Sequence, residues 1–285
     1  MSITLRAATL NDNTSCGSIC FNAFNEIANQ HNFPSEFPEV DNTLEGISSL
    51  IANEGFYGVV AEQNERIIGS NFLDVRGTIA GVGPISIDPE AQNSGVGRLL
   101  MQAVVEYGLS QNKAGIRLNT ASHHGRSQSL YTKMGFRIQA PMMILQGPQI
   151  SATFPHHHVR KAVLADIEAT NYLCKTIHGY ERMQEVRDAI AKGEAIVVER
   201  EGHITGYSTG ISFFGHSVGE TNSDIKALIA ATPEYKGVGF LLPATNFELL
   251  NWCLKHGLKI VITMNYMTMG LYNNSQGAYL PSVLY

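Results

Sequence analysis

The spacing of apolar residues along the chain follows two different periods. The segments Ile116-Arg117-Leu118 and Ile260-Val261-Ile262 are typical of strands. A helical period appears twice, each time after a Gly-Val-Gly sequence, and predicts two amphipathic helices. Their apolar faces consist of Leu99, Leu100, Ala103, Val104 and Tyr107 in the first half and of Ala244, Phe247, Leu250 and Leu254 in the second. This mixture predicts an α/β fold.

Two patterns from the first half of the chain return in the second half. Residues 6–12 and 160–166 both follow the pattern R-x-A-x-L-x-D, whose Asp is placed to cap a following helix. Residues 60–69 and 197–206 each contain an apolar stretch, a polar turn and a second apolar stretch, which is typical of paired strands. The common order indicates that both halves follow one structural plan.

Two further pairs extend this correspondence. Gly95-Val96-Gly97 has a counterpart at residues 237–239, and Leu130-Tyr131 has a counterpart at residues 271–272. In both halves we expect the glycines to open a long helix. Four matches in the same order predict an internal duplication.

The length and composition agree with two domains. The chain has 285 residues, of which 44% are hydrophobic and 16% are charged, so it is long for one domain and apolar enough to fold. We predict one domain over residues 1–147 and a second over residues 155–285. The segment between them contains glycine and proline without helical periodicity, as expected for a linker.

Charge, cysteines and histidines narrow the possible functions. A formal net charge of -5 provides no basic face for nucleic acid. The first residues do not resemble a signal peptide and no apolar stretch could span a bilayer, so we expect a cytoplasmic protein without a membrane partner. The four scattered cysteines are expected to be reduced. We interpret His123-His124 and the histidines at 156–158 as solvated or linker residues and expect no metal site.

The most informative stretch is residues 85–98. A strand ends there, a polar loop with two glycines follows, and an amphipathic helix begins. Unpaired amides and the dipole at such a helix N-terminus favour an anion such as a pyrophosphate, and a side chain at Gly97 would obstruct those amides. Arg98 can add positive charge or remain a solvated surface residue. No Gly-Lys-Ser/Thr and no third glycine follow, which argues against a P-loop and a dinucleotide fingerprint.

Two motifs in this half resemble signatures of one superfamily. Gln92-x-x-Gly95-x-Gly97 resembles the Q/R-x-x-G-x-G/A signature of the GNAT superfamily, the general N-acetyltransferases, and residues 130–136 resemble its later L-Y-x-K-x-G-F signature. The resemblance covers roughly residues 3–146. It implies acetyl-CoA as co-substrate and two GNAT-like domains in tandem, each a mixed, mostly antiparallel sheet flanked by helices, with an active N-terminal copy and a degenerate C-terminal copy.

The resemblance also implies roles for individual residues. Tyr131 matches the tyrosine that commonly donates a proton to the leaving sulfur, although an aromatic residue there can equally pack the helix on the sheet. Asn119 and Ser127 match positions near the pantetheine, and their alternative roles are a strand end and a helix cap. The remaining cofactor-binding positions are the pantetheine-pairing strand and the pyrophosphate loop, namely Ile85, Ser86, Ile87, Gln92, Asn93, Ser94, Gly95, Val96, Gly97 and Arg98.

A general base is not evident in the sequence. An alkyl amine with a pKa near 10 is only about 0.1% neutral at pH 7, so the reaction needs a base or a desolvating pocket. Asp74 and Ser86 lie on predicted strands, but neither is convincing as the base. Asp88 and Glu90 are expected to shape the turn before the loop.

The second half departs from the superfamily pattern. Glu234 stands where the family has Gln or Arg, and its carboxylate would repel a pyrophosphate. The K-x-G-F closure is also missing after residues 271–272. We therefore expect this half to bind no cofactor. We hypothesise that it covers the acceptor side of the first domain's cleft and sets amine specificity, with residues 213–216 and the apolar C-terminus offering aromatic surface and one titratable group. The alternative is a degenerate copy that only stabilises its partner.

The predicted function is transfer of acetyl from acetyl-CoA to a small-molecule amine, which attacks the thioester directly. Two alternatives remain open at this level. One is a non-catalytic acyl-CoA-binding sensor, which would bind the cofactor without releasing its thiol. The other is an acetyltransferase that acts on a protein amine.

Overall fold

The computed structural model describes residues 2–33, 35, 37 and 39–285. The chain divides into two compact units. Unit 1 contains Met1–Leu118 and His123–Gly135, and unit 2 contains Asn119–Ser122 and Phe136–Tyr285. No helix within the described ranges is both long and apolar enough to cross a membrane.

Unit 1 is a sheet with helices packed against it. Its elements are β1 (Thr4–Ala7), α1 (Asn13–Gln30), α2 (Val40–Ala52), β2 (Phe56–Gln63), β3 (Arg66–Asp74), β4 (Ile79–Val82), β5 (Ser86–Ile87), α3 (Val96–Ser110), the first four residues of β6 (Gly115–Ala121) and α4 (Gly125–Lys133). Strands β1 to β4 pair in order and antiparallel, whereas β4 and β6 pair in parallel. β5 pairs with β3.

Helix α3 contacts β2 and β3 through one apolar face. As the sequence predicts, Leu100 and Val104 on this face are fully buried. Leu99, which the sequence assigned to this face, is 37% exposed, and Met101 is buried there instead. Each residue advances about 100° around a helix, so a buried face formed by Leu100, Met101, Val104 and Val105 leaves Leu99 on the opposite side.

Unit 2 contains two antiparallel sheets. Its elements are the last residues of β6, then β7 (Arg137–Gln146), β8 (His158–Lys161), α5 (Ile167–His178), α6 (Met183–Ala191), β9 (Ile196–Arg200), β10 (His203–Ser208), β11 (Ser217–Gly219), α7 (Asn222–Ala231), β12 (Phe240–Pro243), α8 (Phe247–Lys255), β13 (Lys259–Gly270) and β14 (Ala278–Leu280). One sheet has the order β14-β11-β10-β9-β8, and the other contains β13-β7-β12. The predicted α/β class, with mostly antiparallel sheets flanked by helices, is confirmed.

Strand β7 explains where the two units divide. It pairs with β13 on one edge and with β12 on the other. Its contacts therefore place it with the second half of the chain, although it precedes the predicted linker. Residues 147–157 contain neither helix nor strand.

The first R-x-A-x-L-x-D pattern forms an ion-paired turn. Asp12 accepts hydrogen bonds from Arg6 at 2.7 and 2.8 Å, and Arg6 also lies 2.6 Å from Glu62 on β2. The Asp12 carboxylate also accepts from the backbone N–H of Thr9 at 2.7 Å. The expectation that Asp12 caps the following helix is therefore wrong. Its carboxylate closes the short 3-10 turn before that helix and holds the turn to β1.

The second pattern repeats this arrangement almost atom for atom. Arg160 donates to Asp166 at 2.7 and 2.8 Å and lies 2.6 Å from Glu199 on β9. Asp166 likewise accepts from the backbone N–H of Val163, at 2.8 Å. Each turn is followed by two helices and a strand hairpin, so the first two sequence correspondences recur as the same local structure.

The other two correspondences do not recur. Residues 237–239 lead into strand β12 and not into a helix, because Gly239 adopts φ +103° and a Cβ there would lie 2.0 Å from the carbonyl oxygen of Leu145 on β7. Helix α8 buries Leu249 and Cys253 and leaves Phe247 73% exposed, so its predicted face is wrong. Residues 271–272 follow β13 and belong to no helix.

Candidate active site

The N-terminus of α3 presents backbone amides that its own ladder does not use. The first helical hydrogen bonds run from the N–H groups of Arg98 and Leu99 to the carbonyl of Gly95, at 3.1 and 3.2 Å. The N–H groups of Val96 and Gly97 precede this ladder and have no acceptor within the helix. Together with the helix dipole, they favour an anion at this end.

A short 3-10 turn delivers the loop to this helix. Asp88 accepts from the backbone N–H of Glu90 at 3.1 Å and from the guanidinium of Arg66 at 2.6 Å. The Ser94 hydroxyl donates to the carbonyl of Ala91 at 2.5 Å. As predicted, Asp88 shapes the turn. The side chains of Asp88 and Ser94 bond to backbone groups within the turn and so fix the loop that leads into α3.

Arg126, in the first turn of α4, contacts the same loop. Its Nη2 donates to the side-chain oxygen of Gln92 at 2.6 Å, and its Nη1 lies 3.4 Å from the side-chain oxygen of Asn93. The sequence interpretation missed Arg126. Its position five residues before Tyr131, at the start of the same predicted helix, was the only sequence signal for a second cation near the loop. The signature Gln92 thus holds a cation beside the loop.

The candidate pantetheine strand is shorter than predicted. Ile85 lies outside it, and β5 consists of Ser86 and Ile87. These residues pair with Ser70 and Gly69 of β3, and in the described part of the chain β5 has no other strand partner. The Ser86 hydroxyl is buried 3.4 Å from that of Ser70, so the side chain points into the protein. Among the strands of the described residues, the backbone of β5 is therefore paired on one side only.

The two glycines of the loop differ in their surroundings. A Cβ at Gly95 would meet no atom within 4 Å, and the residue adopts φ +89°. A Cβ at Gly97 would lie 3.0 Å from Cδ1 of Ile87 and 3.6 Å from Cδ2 of Leu130. A side chain at Gly97 would therefore press into the packing between β5 and α4 and would not cover the amides as expected. Gly95 is the glycine that faces open space.

Tyr131 lies on α4 and is 6% exposed. Burial raises the pKa of its phenol to about 12, and a hydrogen bond with Ser127 acts in the opposite direction. At neutral pH the phenol is therefore protonated and can act as a hydrogen-bond donor. Its burial also packs the helix, so the two roles that the sequence left open are compatible.

His124 is a packed, hydrogen-bonded residue and not a solvated one. Its Nδ1 lies 2.8 Å from the Ser127 hydroxyl. Burial, followed by the charge of Arg126, lowers the pKa of the imidazole to about 4. The neighbouring His123 stacks on Phe33 with ring centroids 4.4 Å apart. The interpretation of this histidine pair as solvated is therefore wrong.

Asn119 belongs to unit 2. Its side-chain nitrogen donates to the carbonyls of Ser282 and Val283, both at 3.1 Å. Its side-chain oxygen is buried and has no hydrogen-bond partner among the described residues. The structure thus groups the loop, β5, Ser127 and Tyr131 in unit 1 and assigns Asn119 a contact with the C-terminal segment.

No candidate for the base emerges from the residues considered in the sequence. Asp74 is fully buried, and its carboxylate accepts from the Arg76 guanidinium at 2.6 and 3.0 Å, which makes it half of a structural ion pair. Ser86 is directed inward. Within the residues that the structure describes, no group of three or more His, Cys, Asp or Glu side chains is arranged to hold a metal ion.

The segment proposed to contribute to acceptor selection is largely buried. His216 is 1% exposed, with Nδ1 3.2 Å from the Glu185 carboxylate and Nε2 3.0 Å from the Tyr207 hydroxyl. Phe213 is buried, and Phe214 is 64% exposed. Because His216 is held inside unit 2, it cannot provide the surface titratable group that the hypothesis required.

Comparisons with known proteins address the family and the fold. Residues 21–136 match the model of the Acetyltransferase (GNAT) family. A candidate acetyltransferase from Pyrococcus horikoshii is 16% identical, with a TM-score of 0.74 over 97% of this chain and 94% of that chain. A GCN5-related N-acetyltransferase from Sphaerobacter thermophilus is 14% identical, with a TM-score of 0.62 over 95% of this chain and 96% of that chain. No curated protein matches the chain by sequence.

The chain therefore contains a GNAT acetyltransferase domain at residues 21–136. The protein is accordingly an acyltransferase, and acetyl-CoA is the acyl donor of this family. The residues present fit that donor, because the amides before the α3 ladder, the open space at Gly95 and the Arg126 guanidinium suit a diphosphate. The single-sided pairing of β5 suits an arm that carries amide groups.

Proposed function

We propose that unit 1 transfers the acetyl group of acetyl-CoA to a small-molecule amine by direct attack. The observation that carries this proposal is the N-terminus of α3. There, amides outside the ladder, a glycine facing open space and a neighbouring arginine favour a dianionic group. Such a cluster on its own would bind many anions, and the family match supports the diphosphate of acetyl-CoA as the anion bound there.

The loop and β5 position the donor in this proposal. The N–H groups of Val96 and Gly97 and the guanidinium of Arg126 bind the diphosphate. The free edge of β5 pairs with the arm in the manner of an added strand. Ser94 and Asp88 contribute by holding the loop in shape, because their side chains bond to backbone groups within the turn.

Tyr131 assists the departure of the thiol. Acetyl-CoA supplies an electrophilic thioester carbonyl and a thiol as leaving group. The acceptor nitrogen forms a bond to the acetyl carbon while the carbon–sulfur bond breaks. The nitrogen releases one proton to solvent water, the sulfur takes one that the Tyr131 phenol donates, and the phenolate recovers its proton from water after the thiol has left. The phenol is protonated at neutral pH, which a donor requires.

Binding and thiol release by the full chain test this proposal. We expect calorimetry to find one acetyl-CoA site per chain, because the first turn of the α7 helix in unit 2 is capped by its own side chains. Thiol release should then be measured with polyamines, amino acids, aminoglycosides and peptides. Transfer to a small amine, identified by mass spectrometry, supports the proposal. Binding without thiol release in any class would favour a sensor, and transfer to peptides alone would favour a protein acceptor.

A further inference from the structure

Three polar side chains form a line along the start of α4. The Ser127 hydroxyl lies 2.8 Å from Nδ1 of His124 and is hydrogen-bonded to the phenol of Tyr131. Ser127 and Tyr131 are four residues apart, a spacing that places them on one face of a helix. His124 immediately precedes this helix. The three groups therefore form a continuous path from an imidazole to the phenol.

The direction of donation along this path follows from the second nitrogen of His124. Its Nε2 is buried and has no hydrogen-bond partner among the described residues. A neutral imidazole carries one N–H and one bare nitrogen. A buried N–H without an acceptor is rarer in proteins than an under-satisfied acceptor, so the proton belongs on Nδ1. Nδ1–H then donates to Ser127, which leaves the Ser127 O–H to donate to the phenol oxygen.

The charges around His124 keep this arrangement intact at neutral pH. The groups that act on it are Arg126, His123 and His31, all basic, together with burial. None of them favours a second proton on the ring. His124 therefore stays neutral well below pH 6, and its Nδ1–H remains fixed toward Ser127.

The phenol has a chemical need for such support. Burial raises the pKa of the phenol to about 12 even though the Ser127 hydrogen bond lowers it, so the phenol is a weaker acid than a thiol, whose pKa is ordinarily about 8.5. Proton donation from Tyr131 to the leaving sulfur is therefore unfavourable, and any stabilisation of the resulting phenolate reduces that cost. A hydroxyl that donates to the phenol oxygen provides this stabilisation, because hydrogen bonds to the charged form favour it.

We propose that His124 and Ser127 are positioning residues for Tyr131, with His124 orienting the Ser127 hydroxyl so that it donates to the phenol oxygen. This arrangement turns the phenol's own O–H outward and stabilises the phenolate left after proton donation to sulfur. The inference rests on the proposed function, since it assumes that Tyr131 donates to the leaving thiol. It adds two residues whose effect passes through the phenol and not through contact with substrate.

The tautomer of His124 can be observed without any substrate. Nitrogen-15 NMR of histidine-labelled full chain, with the resonance assigned through His124→Asn, should show the proton on Nδ1 between pH 6 and 8. Ser127→Ala removes the hydroxyl that accepts from Nδ1–H, so the nitrogen chemical shifts of His124 should change. A proton on Nε2 in the wild-type chain would overturn the proposed direction of donation.

Kinetics should show that both residues act through Tyr131. With acetyl-CoA and the amine chosen in the acceptor screen, Ser127→Ala should lower kcat roughly tenfold, the effect of about one hydrogen bond, and leave KM for acetyl-CoA unchanged. Ser127→Thr keeps a hydroxyl and should retain most activity. His124→Asn keeps a donor near Nδ1 and should be milder than His124→Gln. Ser129→Ala is the matched control, because Ser129 is exposed on the same helix and donates to the Gly125 carbonyl at 2.8 Å.

The decisive comparison uses the Tyr131→Phe background. There, Ser127→Ala should cause no further loss, and a further tenfold loss would show that Ser127 acts independently of Tyr131 and would overturn the inference. If Tyr131→Phe lowers turnover while Ser127→Ala in the wild-type background does not, the positioning role fails and the donor role stands. Unchanged turnover in Tyr131→Phe itself, with chemistry rate-limiting, overturns both the donor role and the inference.

Discussion

Helices α3 and α7 each follow a short strand, one in each unit, and their first turns carry opposite chemistry. Helix α3 begins after Gly95, which has no side chain to cap the amides. Helix α7 begins after Thr221, whose N–H and hydroxyl donate to the Asp224 carboxylate at 2.9 and 2.6 Å. The Thr221 oxygen in turn accepts from the N–H of Asp224. One helix end stays open to an anion, and the other is closed by its own residues.

The arginines near the two helices reinforce this difference. Arg126 donates to the neutral side-chain oxygens of Gln92 and Asn93, which do not compensate its charge. Arg200 lies 2.9 Å from both Asp224 and Glu220, so two carboxylates compensate it. A second anion at α7 would compete with a carboxylate already in place. We therefore propose that unit 2 binds no acetyl-CoA, for a different reason from the Glu234 substitution that the sequence suggested.

The largest expected effect on turnover distinguishes α4, the helix after α3, from α8, the helix after α7. Tyr131 is the seventh residue of α4, and Cys253 is the seventh residue of α8. Tyr131→Phe should lower turnover by about 10²–10⁴-fold, the usual range for a general acid, while calorimetry shows unchanged acetyl-CoA affinity. Cys253→Ala should leave turnover unchanged, because unit 2 takes no part in thiol departure. A comparable loss of turnover in both variants would contradict the assignment.

The cap of α7 should matter for stability alone. Asp224 is fully buried and accepts from Thr205, Thr221 and Arg200. Asp224→Ala should lower the free energy of unfolding in urea by about 2–3 kcal/mol. This is less than for a fully buried pair, because Arg200 keeps contact with solvent. Acetyl-CoA affinity should not change. Weakened binding in this variant would show that α7 contributes to a cofactor site after all.

A negative charge at position 95 should weaken anion binding at the N-terminus of α3, just as the Asp224 carboxylate occupies the N-terminus of α7. Gly95→Asp and Gly95→Asn have similar size and similar tolerance of positive φ, so the backbone cost is matched. The Asp variant should bind acetyl-CoA roughly tenfold more weakly than the Asn variant, because its carboxylate faces the diphosphate. Equal affinities in calorimetry would mean that the anion does not lie at this helix end.

The smallest expected effect is on stability and concerns the ion-paired turn that the two units share. Arg6→Ala and Arg160→Ala each remove an arginine that bridges an Asp and a Glu, with the arginine side chains 40% and 32% exposed. Because exposed ion pairs contribute little, each should cost about 1 kcal/mol, and the two costs should agree within error. Urea unfolding measures both. A cost several times larger for one variant would show that the matching geometry conceals different roles.

The sequence predicted what depends on local interactions. The loop from Gln92 to Gly97 and the start of α3 each involve residues a few positions apart, and the repeated R-x-A-x-L-x-D pattern marks the same local turn in both halves. Their geometry therefore follows from turn chemistry and short-range hydrogen bonds. The α/β class and the family motifs could be predicted for the same reason, since both depend on residues close together in the sequence.

Long-range contacts decided the remainder. Residues 237–239 read like a second helix-opening glycine pair, but they join β12 because β7, nearly a hundred positions earlier, lies alongside. Asn119 bonds to carbonyls more than 160 positions away, and His123 reads as solvated until the ring of Phe33, from much earlier in the chain, is seen stacked on it. A sequence pattern records which side chains are available nearby. Which distant backbone or side chain satisfies each buried polar group is settled only when the chain packs.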